Sequence, residues 1–325
     1  MLKAENLKKT YITKDWTGFL KRETRKVHAV KDLSLELHPG QIIGLLGING
    51  AGKTTTIKML STLLLPTSGS LQVDGIDGVK NPMAVKKRIN MITGGERMIY
   101  WRLTARENLR YYGHLYDVDR KILDRRIDEL LDRVGLEEKK DIPVERFSKG
   151  MKQRLQIARG LINDPSYIFM DEPTLGLDAA ISRELRDYVR ALSQEREKAI
   201  LLTSHYIQEV EELCEYVYVV NDGLVIAQGT PKELAFLGTE EKTTCLELHD
   251  ANPQFHTALE ERFRRLEKRW ALEQDPLKRT YRITSAHDLN REIAGLLMEH
   301  QVSFKSFYQE EPSLENAIIK LAGRC

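Results

Sequence analysis

The sequence predicts an α/β domain carrying a helical subdomain, followed by a small C-terminal α+β domain, on three observations. Short and nearly uninterrupted apolar runs, QIIGLL at 41–46, YIFM at 167–170 and AILLT at Ala199–Thr203, read as strands covered on both faces, as in a parallel sheet flanked by helices. A G-x-x-x-x-G-K-T element stands directly between the first of these runs and a helical stretch, TTTIKMLSTLL. A polar joint, GTEEKTT, then separates residues 1–237 from a unit at 243–325 in which strand and helix patterns begin again.

Taken in order, a first strand is expected at 1–7 and a basic stretch follows at 14–26. Val30, Leu33, Leu35 and Leu37 mark a half-buried strand that Pro39 and Gly40 close. Between 83 and 141 the pattern turns helical and charge-rich, with Leu123, Ile127, Leu130, Leu131 and Val134 at helical spacing, so a helical subdomain is expected over about 83–165. The run at 167–170, the run at Ala199–Thr203 and a strand pair over 216–228 restore the α/β rhythm. In the smaller unit, strands are expected at 245–248, 280–283 and 302–308. Helices between them carry the stripes Phe255, Leu259, Phe263 and Leu266; Leu289, Ile293, Leu296 and Leu297; and Leu314, Ile318 and Leu321.

Composition narrows the function classes. With 325 residues, 41% of them apolar, the chain can bury one large core and a smaller one. Its 50 basic and 48 acidic side chains nearly cancel to +2, so the global positive field of a nucleic-acid binder is missing and no nucleic-acid partner is expected. Cys214, Cys245 and Cys325 are an odd set at wide spacing, which argues against a disulfide framework or a zinc site and for a reducing compartment such as the cytoplasm. No apolar run approaches the roughly 18 residues of a membrane span, and the N-terminus lacks a secretory signal, so any membrane role is expected to come through a partner.

The element Gly47-Ile48-Asn49-Gly50-Ala51-Gly52-Lys53-Thr54 carries chemistry at its spacing. Its glycines let the backbone curl so that successive N–H groups point at a β-phosphate, and the helix beginning near Thr55 adds its positive end. Lys53 reaches the β- and γ-oxygens, and Thr54 presents a hydroxyl suited to Mg²⁺.

Four further segments follow in order: FSKGMKQR at 147–154, YIFMDEP at 167–173, LGLD at 175–178 and TSH at 203–205. With the phosphate loop they make residues 1–237 resemble the ATP-binding cassette superfamily of P-loop NTPases. The resemblance implies that Asp171 faces the Mg²⁺ shell and that Glu172 is the general base, readying the attacking water. FSKGMKQR is similar to the cassette signature but departs from the commonest LSGGQ form at Phe147, Lys149 and Met151. Ser148 and Gly150 are retained, and in the family they cap the γ-phosphate of ATP held by an opposing subunit, which implies a sandwich dimer. Ser148 is also a natural helix N-cap. The resemblance further places His205 at the γ-phosphate, linked to the LGLD segment with Asp178, and Tyr11 on the adenine ring, a position where a tyrosine is equally often packing. The family's Mg²⁺-binding glutamine is missing from INMITGGERMIYWRLTARENL. Glu96 or Gly95 falls nearest its place, and Glu96 would alter the charge around the metal.

Met98, Ile99, Tyr100 and Trp101 form an apolar group that is either a docking surface for a membrane subunit or part of the helical core. The basic insert DWTGFLKRETRK reads as a solvated loop or hairpin, or as a contact with acidic headgroups. The C-terminal unit, closing on PSLENAIIKLAG, resembles the accessory domain of exporter ATPases related to daunorubicin resistance. The implied function is an ATP-hydrolysing, energy-coupling subunit at the cytoplasmic face of the membrane. Two copies, or one copy and a homologous ATPase subunit, work with separate permease subunits, and the cofactors are ATP and Mg²⁺. The alternatives are a soluble cassette ATPase that remodels a macromolecular complex and a nucleotide-gated regulatory module.

Overall fold

In the computed structural model of the protein, the residues described are 1–16, 22–94, 98–204, 206–237, 242–266, 270–275 and 279–323. They divide into two compact units, Met1–Leu234 with Leu321–Cys325, and Ala235–Lys320.

The first unit opens with β1 (Leu2–Trp16) and β2 (Arg22–Leu37), an antiparallel pair. The expected first strand is less than half of β1. Its outer part pairs from Thr10 with His28 to Trp16 with Arg22, so the described parts of the basic insert, 14–16 and 22–26, are paired strand, and 17–21, including Phe19, Leu20 and Lys21, lie outside the described residues. Tyr11, Ile12 and Val27 are exposed there, which is why no apolar alternation announced the extension.

The chain continues through β3 (Ile42–Leu46), α1 (Lys53–Leu60), β4 (Ser68–Val73), β5 (Ile76–Asp77), α2 (Pro82–Lys86) and β6 (Ile89–Thr93). Next come the helices α3 (Ala105–Leu115), α4 (Arg120–Arg133) and α5 (Lys149–Gly160). The unit is completed by β7 (Tyr167–Asp171), α6 (Ala179–Arg196), β8 (Ala199–Thr203), α7 (Ile207–Leu213), β9 (Tyr216–Asn221), β10 (Leu224–Gly229) and the first turn of α8 (Pro231–Leu237). The expectation of a helical pattern from residue 83 is corrected by β6, which pairs in parallel with β7 from Ile89 with Tyr167 to Thr93 with Asp171. Five residues between a basic run and a pair of glycines are too few to show a period, and the partner strand decides their state.

Ten strands form one sheet in the order β5-β4-β1-β2-β10-β9-β3-β8-β7-β6. Its β9-β3-β8-β7-β6 half is parallel, and β3 and β8 are buried at every position, as strands covered on both faces require. Leu2, Leu33, Ile43, Ile57, Phe169 and Leu201 belong to one continuous core. In the helical part, Thr104 and Glu107 make a reciprocal capping box on α3, Asp119 caps α4 and Ser148 caps α5.

The second unit contains β11 (Lys242–Leu248), α9 (Pro253–Leu266), β12 (Trp270–Asp275), β13 (Thr280–Ser285), α10 (Asn290–Glu299), β14 (Phe304–Glu310) and most of α11 (Leu314–Gly323). Its sheet runs β12-β13-β11-β14, with α9 and α10 supplying Phe255, Leu259, Phe263, Ile293 and Leu296 to a separate core. β12 was not expected. Trp270 and Leu272 of WALEQD pack against the core, and pairing of Leu272 with Ile283 on β13 supplies what propensity does not. Among the described residues, no helix is long and apolar enough to cross a membrane.

Candidate active site

The parallel strands all deliver their C-terminal ends to one edge of the sheet, where β8 lies between β3 and β7. At a strand spacing of about 4.8 Å, the segments leaving β3 and β7 stand roughly 10 Å apart. That is the crevice in which open α/β sheets bind ligands.

The loop after β3 is threaded too tightly for side chains at two positions. A Cβ on Gly47 would lie 2.1 Å from the Val220 carbonyl oxygen, and one on Gly52, whose φ is 105°, would lie 2.5 Å from that of Ala29. The loop is therefore wedged between the end of β9 and β2, and its curl is imposed by neighbours as well as by glycine freedom. Lys53, at the start of α1, is buried and turns back so that Nζ donates to the carbonyls of Gly47 at 2.6 Å and Ile48 at 3.1 Å. Burial pushes this ammonium below its usual range, while the carboxylates of Glu172 and Asp171 pull it up. Lysine and acid pair thus share one electrostatic site. Ile48, Asn49, Gly50 and Thr54 are exposed, Thr55 is half-buried and Ala51 is buried.

At the end of β7, Asp171 accepts the Thr203 hydroxyl through Oδ1 at 2.6 Å. Glu172 adopts a left-handed φ of 52°, unusual for a residue with a side chain, and its N–H donates to the Thr203 carbonyl at 3.0 Å. Its own carbonyl packs on Gly94, where a Cβ would come within 2.1 Å, and Gly94 N–H donates to the Asp171 carbonyl at 2.8 Å. The backbone turn that presents the two acids is thus gripped from both sides. Sequence reasoning missed Gly94 and, as an individual residue, Thr203. Gly94 begins the Gly-Gly pair before Glu96, a weak signal, whereas nothing local marks Thr203 as a donor to Asp171.

With this geometry, a model of the ABC transporter family matches residues 30–175. The linearmycin resistance ATP-binding protein LnrL of Bacillus subtilis (strain 168) is 34% identical over 327 residues, an alignment covering 100% of this chain and 99% of that one. The daunorubicin/doxorubicin resistance ATP-binding protein DrrA of Streptomyces peucetius is 36% identical over 298 residues, covering 91% and 88%. The chain belongs to the ABC transporter family. It falls with the drug-resistance ATP-binding proteins of that family, as its C-terminal resemblance implied. Its fold is that of the ABC ATPases: cbiO1 from Clostridium perfringens, part of the ABC transporter complex cbiONQ, superposes with a TM-score of 0.62 at 27% identity, covering 72% of this chain and 89% of that one.

The remaining motifs of this ABC transporter chain form a second cluster. Ser148 caps α5 by accepting from Met151 N–H at 3.2 Å. Gly150 is buried against α6, where a Cβ would meet Ile181 Cδ1 at 2.3 Å, and Asp178 caps α6 through Ile181 N–H at 2.9 Å. Lys149 packs on Gly176 of the LGLD segment. These contacts bind the signature segment to LGLD, and none of them joins it to the phosphate cradle. Tyr11 is 37% exposed on the hairpin, with Lys9 Nζ 5.6 Å from its ring centroid. It pairs with Val27, two residues from the Ala29 carbonyl that abuts Gly52, so it stands beside the loop. Glu96 and His205 lie outside the described residues. For Mg²⁺, the described residues offer hard oxygen donors, the exposed Thr54 hydroxyl and the part-exposed Asp171 carboxylate, and no cluster of three or more acid, His or Cys ligands. Such a donor set fits an ion that takes one or two protein ligands and completes its shell with phosphate and water.

Proposed function

We propose that this ABC transporter subunit binds MgATP in the loop at 47–54, hydrolyses it with the Asp171 and Glu172 pair, and drives separate permease subunits as a sandwich dimer of two copies. The observation supporting this most is that Lys53, at the start of α1 after β3, feels the carboxylates of Glu172 and Asp171 at the end of β7, one strand away across β8, where Gly94 packs on the turn. The loop N–H groups and the N-terminus of α1 bind the β-phosphate, and Lys53 leaves the Gly47 and Ile48 carbonyls for the β- and γ-oxygens. Thr54 and Asp171 would hold Mg²⁺, which would supply neutralisation of the phosphate charge. Glu172 orients the attacking water and takes its proton; with the backbone on both sides already fixed, that alignment costs no reorganisation during the reaction. Tyr11 stacks on the adenine.

Ser148 and Gly150 serve the nucleotide of the opposing copy, which accounts for a signature tied to Asp178 and LGLD rather than to its own cradle. The permease meets the surface at 98–101. Ile99 is buried, Met98, Tyr100 and Trp101 are 46–54% exposed, and Asn108 holds the Tyr100 backbone from both sides, at 2.8 Å and 3.0 Å. A cavity of about 240 Å³ lined by Leu63, Lys86, Met91, Met98 and Arg159 adjoins it. Ile99 thus belongs to the core of the helical part, and exposed Met98, Tyr100 and Trp101 support the docking role. The resistance named for LnrL and DrrA favours export as the direction of transport, from a site at the cytoplasmic face of the membrane.

The test is ATP binding and steady-state hydrolysis of three proteins. The wild type is expected to turn over, Glu172→Gln to retain ATP while losing hydrolysis, and Lys53→Ala to lose retention. Wild-type affinity and turnover in both variants would overturn the reading.

A further inference from the structure

Beyond the strand ends that carry Asp171 and Glu172, the two segments leaving the sheet meet again on one buried carboxyl. Glu209, in α7, is 2% exposed. Its Oε2 accepts the Thr174 hydroxyl at 3.1 Å and also the Ser204 hydroxyl. Thr174 lies two residues past Glu172, and Ser204 follows Thr203 directly. Ser204 Oγ in turn accepts Tyr206 N–H at 3.0 Å, so the carboxyl, both hydroxyls and the start of α7 form one buried network. Oε1 has no hydrogen-bond partner among the described residues, so a single oxygen makes both links.

We infer that Glu209 is a positioning residue for hydrolysis, its Oε2 tying Thr174 to Ser204 so that the ends of β7 and β8 keep the spacing that presents Asp171 and Glu172. The inference rests on the ATPase reading above. Its physical basis is the conformation of Glu172. A left-handed residue other than glycine persists only where its surroundings over-determine it. The first tie is the pair of bonds between Thr203 and the acids; the second, further from the reacting atoms, is the Glu209 bridge. Without the bridge, the 172–174 turn keeps its Thr203 and Gly94 contacts at Asp171 and Glu172 but loses the tie at its Thr174 end, and it can relax toward ordinary φ. Positioning of this kind changes the rate of the chemical step and leaves nucleotide affinity alone, because the phosphate cradle is built on β3 and α1, which Glu209 does not touch through these bonds. Burial pushes the Glu209 carboxyl above its usual range, toward the neutral form that an amide imitates.

The experiment compares kcat, KM and ATP Kd for the wild type, Glu209→Gln, Glu209→Ala, Thr174→Val and Ser204→Ala, with thermal melting of each. Glu209→Gln keeps an acceptor oxygen and is expected to hold kcat within a few-fold. Glu209→Ala is expected to lower kcat by roughly 10- to 100-fold with Kd within a few-fold of wild type, since misplacement of about 1 Å is enough for such a loss. Each hydroxyl deletion is expected to lower kcat by less than Glu209→Ala does. Should Glu209→Ala fail to fold, the two hydroxyl deletions carry the test alone, through a smaller fall in kcat at constant Kd, and an unchanged kcat in both would overturn the inference. An unchanged kcat in the alanine variant, equal losses in the Gln and Ala variants, or a fall in kcat matched by a fall in affinity would overturn the inference. Failure of the ATPase reading looks different: there the wild type does not hydrolyse ATP, or Glu172→Gln leaves hydrolysis intact.

Discussion

Thr203 and Asp171 are register partners on adjacent parallel strands, and the Thr203 hydroxyl donates to Asp171 Oδ1 at 2.6 Å. One residue on β8 thereby orients the carboxylate that ends β7 and, through its carbonyl, the backbone of Glu172. The acid pair is held by a strand far away in sequence.

Removing that donor without changing shape isolates its role. Thr203→Val is expected to cost about 1 kcal/mol of stability, the net worth of one hydrogen bond. Its kcat is expected to fall about tenfold or more at near-constant ATP Kd, because a misdirected carboxylate acts after binding. Steady-state kinetics with a nucleotide-binding titration reads both, and an unchanged kcat would remove Thr203 from the site.

Gly94 is required for a steric reason. A Cβ there would sit 2.1 Å from the Glu172 carbonyl oxygen, which is backbone and cannot rotate away. Gly94→Ala is expected to destabilise the protein by about 1–3 kcal/mol, as overpacking does. Single-turnover hydrolysis should slow more than ATP binding weakens. A variant with wild-type melting and turnover would show that the turn can shift freely.

Acid sensitivity should have one identifiable source at Asp74. Burial pushes its carboxyl up, but hydrogen bonds from the Met1 ammonium, the Tyr167 hydroxyl and Arg88 outweigh this and bring it down to about 2. A depressed carboxyl stabilises the fold above its unfolded pKa and loses that contribution as pH falls toward the folded value. From 3.8 to about 2, the contribution is about 2 kcal/mol, present at neutral pH and lost between about pH 4 and pH 2. The side chain is 28% exposed, so solvent screening is partial. Denaturant titrations of wild type and Asp74→Asn should differ by this amount at pH 7 and converge near pH 2. A gap that does not change with pH would refute the assignment.

Tyr11 offers a binding test free of folding effects. It is 37% exposed on the outer hairpin, so Tyr11→Ala should leave the melting temperature nearly unchanged while weakening ATP binding several-fold, by about 1 kcal/mol of lost stacking. Equal affinity in the two proteins would return Tyr11 to a packing role.

The G-x-x-x-x-G-K-T loop, the Asp171–Glu172 pair and the buried parallel strands were legible as local features because each is written in contiguous residues. Glycines at 47, 50 and 52 set backbone freedom, and five-residue apolar runs declare burial on two faces. The small unit's helices were legible through their apolar stripes. β6 and β12 were not, since their states follow from pairing with β7 and β13.

By itself the sequence determined which residues are proposed to hold a polyphosphate and activate water, because those tasks need particular side chains on a particular short stretch of backbone. Only the tertiary structure decided what holds them. Thr203, Gly94 and Glu209 meet the 171–174 turn across gaps of 31 residues or more, as hydrogen bonds and close approaches. Such contacts depend on how strands are ordered in the sheet, and no local pattern of residues records that order.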